Sequence, residues 1–181
     1  MIVHRALPLD PRAGHAEPGG PLWFPRQLQG HGRHDNPDLY GCLYVSEEPI
    51  SCIAERLAPF RGGRLEPSLL AQGGLPLGLA SIEMPEGGSV IDLDDPRRLA
   101  REKLRPSTVA TRDRTATQGY AADLHERYEP HALRWWSTLE ASWANLTLFD
   151  RVAPRLSVAG VRVLAPDDPE VRAAADALGL A

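Results

Sequence analysis

Cysteine is scarce in this sequence: 181 residues hold only Cys42 and Cys52. Two thiols in one apolar stretch make neither a disulfide framework nor the paired spacing of a zinc site, so both are expected as buried free thiols in a reducing compartment. Long apolar runs are also missing. No stretch approaches the ~18 residues needed to span a bilayer, and Met1 to Asp10 lacks the charged flank and apolar run of a secretory leader, so a cytoplasmic location is expected. There is no surplus of basic charge either: 20 Lys and Arg against 24 Asp and Glu give a formal net charge of -4. With both signs interspersed, no basic stripe exists to neutralise a phosphate backbone, and direct nucleic-acid binding is not expected.

What is present is an ordinary globular composition, 43% hydrophobic and 24% charged. The length fits one domain of about 100 to 200 residues. A single domain over 1–181 is therefore expected, with its core at about 2–165 and a C-terminal helix at about 168–178. The 16 glycines and 17 prolines predict many turns within a compact chain.

Ile2 to Leu7 reads as a strand, followed by a Pro- and Gly-rich loop from Pro8 to Pro21. Gln27 to Tyr40 is a polar, turn-forming segment holding Gly30, Gly32, two histidines and Arg33, and it faces solvent or a ligand. Gly41 to Val45 predicts a strand, with Ser46 as a side-chain cap for the helix behind it. In that helix Ile50, Ile53, Ala54 and Leu57 share one face and turn Glu55 away from it, towards water or a cleft. Leu77 to Met84 and Ser89 to Leu93 predict strands, and Asp94-Asp95-Pro96 starts a short helix ending before Pro106.

A second helix over Arg112 to Tyr128 has only a weak apolar face. Ala132 to Trp136, Asn145 to Phe149 and Val158 to Leu164 give three more strands. An aspartate cap at Asp167 or Asp168, apolar Val171, Ala174, Ala175 and Leu178, and then Gly179 mark the last helix at both ends. Strands and helices without regular alternation predict an α+β domain.

Familiar chemical motifs are missing. There is no Walker-type loop, no complete Gly-x-Gly-x-x-Gly, no Gly-x-Ser-x-Gly elbow, and His125-Glu126 has Glu129 where a metalloprotease helix needs its second histidine. His31, His34 and Asp35 lack a companion ligand cluster, so turn chemistry is expected there and no metal. A scattered polar set remains: Arg5, Arg33, Tyr44, Glu55 and Ser137. Each has a plain structural reading, as a solvated charge, a half-buried strand aromatic, an exposed helix residue or a turn residue.

Their order and context resemble the RES domain family, named after its Arg, Glu and Ser. The residues that carry the resemblance are Gly32-Arg33-His34-Asp35-Asn36-Pro37, Leu43-Tyr44, Ala54-Glu55, Trp135-Trp136-Ser137 and Asn145-Leu146-Thr147-Leu148-Phe149, with His4-Arg5 similar to the family's opening arginine. The chain departs from the pattern in carrying His34 where the family commonly has a large aromatic. The family is similar in fold to ADP-ribosyltransferase toxins, which implies a mixed, bent β-sheet flanked by helices.

The resemblance also implies a bacterial toxin that depletes NAD+ by releasing nicotinamide, as a glycohydrolase or phosphorylase. It implies an Xre-like helix-turn-helix antitoxin as partner, and NAD+ as substrate without a metal. Arginine meets pyrophosphate oxygens with a planar fork of donors, which suits Arg33 and Arg5 to dinucleotide binding. Glu55 suits the positive charge that grows on the ribose, with Tyr44 and Ser137 beside it and Asn145 as a further contact. The expectation rests on Arg33 and Glu55 serving one dinucleotide. Two alternatives stay open: a protein ADP-ribosyltransferase, and a catalytically silent binding module, which His34 permits.

Overall fold

A computed structural model describes residues 1–181. The chain sorts into two compact units, the first made of Met1–Trp23, Val45–Met84 and Leu156–Ala181, the second of Phe24–Tyr44 and Pro85–Arg155. The class is α+β, with strands in mixed antiparallel and parallel pairing and helices packed on them.

In the first unit β1 (Ile2–Pro8) pairs antiparallel with β4 (Leu75–Glu83) over its whole length, Ile2 opposite Glu83 and Pro8 opposite Leu77. The short β3 (Ala71–Gln72) and β8 (Ser157–Val163) also pair with β4, and His4 of β1 meets Ser46 at the end of β2 (Cys42–Ser46). Helices α1 (Pro49–Leu57) and α5 (Pro169–Leu178) pack on each other, and α1 packs on β1. Ile53, Ala54 and Leu57 of α1 are buried, as are Val171, Ala174, Ala175 and Leu178 of α5, so both apolar stripes read from spacing face the core.

The caps differ from expectation. Ser46 is the last residue of β2, and α1 is entered instead through Glu48, with no side-chain cap and with Pro49 in its first turn. Proline already has its φ fixed for a helix and brings no N–H to satisfy, so the cap is dispensable. Asp168 does stand at the N-cap of α5, yet its carboxylate turns back to accept the Ala165 amide at 2.9 Å and to pair with Arg162. Gly179 closes that helix at φ +64°, the left-handed turn that favours glycine.

In the second unit the strand order runs from β2 through β7 (Ala144–Phe149) and β6 (Ala132–Trp136) to β5 (Val90–Asp92). β6 and β7 form an antiparallel hairpin, and β5 joins β6 in parallel. Helices α2 (Pro96–Glu102), α3 (Pro106–Ala110) and α4 (Arg114–Tyr128) accompany them. Ile91, Leu93, Leu99, Val109, Leu124, Leu133 and Phe149 form one buried cluster.

Helix α4 starts at Arg114 rather than Arg112, because Asp113 accepts the amides of Thr115 and Ala116 at 2.9 and 3.3 Å and so fixes the first turn. The five-residue α3 carries too little periodicity to be read from sequence.

Candidate functional site

The second unit builds its polar centre around the glycine loop. Oδ2 of Asp35 accepts the amides of Gly30 at 2.8 Å and Gly32 at 2.7 Å, and its Oδ1 accepts the Tyr44 hydroxyl at 2.6 Å. The same Tyr44 oxygen accepts the His34 amide at 2.9 Å. On the other side of the loop, the Gln118 side-chain amide donates to the carbonyls of Gly30 and Gly32 at 3.1 and 3.0 Å. Asp35, in the sequence a possible metal ligand and part of the family-like stretch but not a candidate site residue, is the carboxylate that shapes the loop.

Burial raises the Tyr44 phenol well above its ordinary range, with Cys42 and the Asp35 carboxylate adding to the effect, so it keeps its proton and remains a donor. That single proton is given to Asp35. At a substrate Tyr44 therefore has its half-buried ring to offer.

Arg33 is a buried residue, 8% exposed. Its Nη1 donates to the carbonyls of Val109 at 2.8 Å and Thr111 at 2.9 Å, which tethers the loop to the end of α3, and its guanidinium lies 4.8 Å from the ring centre of Trp135. Two carbonyls and an indole face fix the plane of the guanidinium before any ligand arrives.

His34 is fully buried next to it. Nδ1 lies 2.8 Å from the Thr147 hydroxyl and Nε2 lies 2.8 Å from the Tyr120 hydroxyl, while the ring meets Tyr120 and Trp135 edge-on at 5.4 and 5.6 Å. The imidazole thus fills an aromatic's place in the packing and satisfies both of its nitrogens. Burial, then the charges of Arg33 and Arg114, hold it well below the usual histidine range, so it is neutral in the folded protein.

Neither Tyr120 nor Thr147 stood among the candidate site residues read from the sequence. The weak apolar face of α4 was the signal for Tyr120, since it buries Thr117 and Tyr120 beside Leu124, a helix turned inward to make hydrogen bonds; Thr147 lies on β7 and had no such signal.

The β6–β7 hairpin carries the remaining candidates of this unit. Asn145 is buried on β7 opposite Trp135, the residue under Arg33. Ser137 follows β6 and is 1% exposed; its amide donates to the Trp143 carbonyl at 2.7 Å and its hydroxyl accepts the Leu139 amide at 3.1 Å. Arg33, Tyr44 and Asn145 are thereby linked through Asp35, His34 and Trp135, and Ser137 lies one residue past the same strand.

Arg5 and Glu55 belong to the first unit. Arg5, on β1, donates through Nη1 to the carbonyls of Pro21 at 2.6 Å and Trp23 at 3.1 Å, tying down the Pro- and Gly-rich segment. Burial and the neighbouring Arg56 push its guanidinium down to about 10. Glu55 is exposed on α1 between buried Ala54 and Arg56, whose Nε donates to the Ala6 carbonyl at 3.0 Å.

An α+β unit whose glycine loop presents a rigidly held arginine beside a tyrosine strand defines the class. A family model for the RES domain matches residues 3–173, and the chain belongs to that family. The matched span includes all six candidate residues. No curated protein matches the sequence. Among solved structures, the chain is similar in fold to a chain of the crystal structure of the M. tuberculosis MbcT-MbcA toxin-antitoxin complex, with a TM-score of 0.63 and 14% identity over 98% of this chain and 88% of that one.

Proposed function

We propose that this protein cleaves NAD+ between nicotinamide and ribose and acts as the toxin of a toxin-antitoxin pair. The observation that carries the reading is Arg33: a RES-type arginine, buried and locked by two carbonyls and an indole, in a loop with no slack. Such preorganisation suits recognition of a fixed anionic ligand, because little ordering remains to be done on binding.

In the proposed reaction the bond from C1′ of the ribose to the pyridinium nitrogen breaks, and its electron pair goes to that nitrogen. Nicotinamide leaves neutral and needs no acid. Positive charge is left on C1′ and the ring oxygen, and the Glu55 carboxylate stabilises it. Water adding to C1′ and losing a proton gives a glycohydrolase, and inorganic phosphate adding there gives a phosphorylase. Arg33, with Arg5, is assigned to the substrate's phosphates, the Tyr44 ring to nicotinamide or ribose, and Ser137 with Asn145 to hydrogen bonds on the sugar or carboxamide.

No helix is long and apolar enough to cross a membrane, and the proposed setting is the cytoplasm, where NAD+ is made available. An antitoxin is the proposed partner, a reading supported by a fold neighbour crystallised as a toxin-antitoxin complex, and the Xre-like helix-turn-helix type is proposed from the family resemblance.

The test is to mix the purified full chain with NAD+, with and without phosphate, and follow free nicotinamide. Release that needs Glu55 is the expected result. A chain that is folded, free of any partner and inert towards NAD+ under both conditions overturns the proposal.

A further inference from the structure

We propose that Gln118 is a positioning residue for Arg33, acting through the glycine loop; the inference rests on the assignment of Arg33 to substrate binding. Residues 30 and 31 have little packing to hold them, and what crowds Gly32 is polar, the Tyr44 hydroxyl and the Asp35 carboxylate. Gly30 and Gly32 carry no side chain, His31 is exposed, and a Cβ built at Gly30 would meet nothing within 4 Å. Gly30 also adopts φ +139°, a conformation open mainly to glycine. What orders this stretch is polar.

Asp35 binds the two glycine N–H groups from one side, and Gln118 binds the two glycine C=O groups from the other, at 3.1 and 3.0 Å. Two converging carbonyls require two donors on one atom, which the NH2 of glutamine supplies and a carboxylate does not. Gln118 grips the loop a second time downstream, since its backbone carbonyl accepts Nδ2 of Asn36 at 3.1 Å. One residue of α4 thus holds the chain on both sides of Arg33. Its side-chain bonds end at Gly32, immediately before the arginine, and fix the direction from which Arg33 enters the interior.

The chemistry suggests a paired test on the full-length protein. Gln118→Glu keeps the shape and removes the donors, and Gln118→Met removes them without adding charge. Either change is expected to raise KM for NAD+ about tenfold, the scale of one or two hydrogen bonds, with kcat within about twofold of the parent. In hydrogen exchange the amides of Gly30 and Gly32 should exchange faster in both variants, with the β6–β7 hairpin unchanged. The Gly30 and Gly32 carbonyls would face the new carboxyl and favour its protonated form, so lowering the pH from 7.5 to 5 should pull KM of Gln118→Glu back towards the parent as one donor is regained, and leave Gln118→Met where it was.

Unchanged loop exchange in both variants overturns the clamp, and so does a KM within twofold of the parent at pH 7.5. If the parent protein releases no nicotinamide, the proposed reaction fails, and the exchange measurement alone decides whether Gln118 holds the loop. Should Gln118→Met fail to fold, the pH response within Gln118→Glu still decides.

Discussion

The hydroxyl of Tyr44 lies between two consecutive residues of the glycine loop, giving its proton to Asp35 at 2.6 Å and taking the amide hydrogen of His34 at 2.9 Å. One oxygen on β2 thereby sets the backbone that flanks Arg33. Tyr44→Phe keeps the ring and strips both partners of their bond. Leaving buried polar groups unpaired costs about 1–3 kcal/mol, and the loss should appear in chemical denaturation. Because the phenol stays protonated far into the alkaline range, the stability difference between parent and variant should not change between pH 7 and 9. A variant as stable as the parent would show that the hydroxyl is not holding the loop.

Gly32 has no room for a side chain. A Cβ there would lie 2.5 Å from both the Tyr44 hydroxyl and Oδ1 of Asp35, two atoms already bound to each other. Gly32→Ala is expected to destabilise by about 1–3 kcal/mol. Adding Tyr44→Phe removes one of the two clashing oxygens, so the double variant should lose less than the sum of the single ones. A double-mutant cycle measures the difference, and strict additivity would contradict the geometry.

Gly119 offers the reverse case on α4. It is exposed within the helix, lacks a positive φ, and a Cβ there meets nothing within 4 Å. Gly119→Ala should raise stability by about 0.5–1 kcal/mol through the smaller backbone entropy lost on folding. A rise in Tm without change in NAD+ turnover is the expected outcome, and a fall would mean that this face of α4 is covered in solution.

His34 makes stability depend on pH. In the folded protein the ring is neutral, held well below its ordinary range by burial and by Arg33 and Arg114, whereas in the unfolded chain it takes up a proton near pH 6.5. Its contribution is complete above about pH 6.5 and is lost as pH falls below that value, by about 1.4 kcal/mol per unit for this one group. His4 and His125 are also lowered by burial and steepen the slope in the same direction. Denaturation midpoints between pH 7.5 and 5 should fall, and His34→Gln, which retains hydrogen-bonding atoms for Thr147 and Tyr120, should flatten the dependence. An identical slope in parent and variant would mean that His34 is already charged in the fold.

Sequence spacing located every strand except the two-residue β3, and the buried faces of α1 and α5, because a periodic apolar pattern has one way to hide itself. Family resemblance rather than local pattern named Arg33 and Tyr44, together with Glu55, and hydrogen bonds to His34 and Asp35 tie Tyr44 to the loop that carries Arg33. What spacing missed were long-range polar partnerships. Gln118 reaches the glycine carbonyls from more than eighty residues away, and Thr147 meets His34 across 113 positions. Neither leaves a periodic trace, and α4 looked featureless because part of its inward face bonds to the loop. The Ser46 cap failed for a local reason: Pro49 starts α1 by its own geometry.

Glu55 and Arg33 should fail in different ways when altered. Glu55 is an exposed residue on a helix whose opposite face carries the packing, so Glu55→Gln should leave stability within about 0.5 kcal/mol. If the carboxylate stabilises charge on the ribose, kcat should drop by roughly 10² to 10³ with KM little changed, the pattern of a group acting in the transition state. Arg33 is buried, bonded to two carbonyls and stacked on Trp135, so Arg33→Ala removes structure as well as charge. It should cost about 2–4 kcal/mol of stability, from lost charge-assisted hydrogen bonds and the cation–π contact together. Arg33→Lys keeps the charge and loses the planar fork, so it should restore part of the stability while KM for NAD+ stays high. Nicotinamide release and denaturation measured side by side on the three variants check this split. Full turnover in Glu55→Gln would remove that carboxylate from the reaction, and a parent-like KM in Arg33→Lys would confine Arg33 to holding the fold.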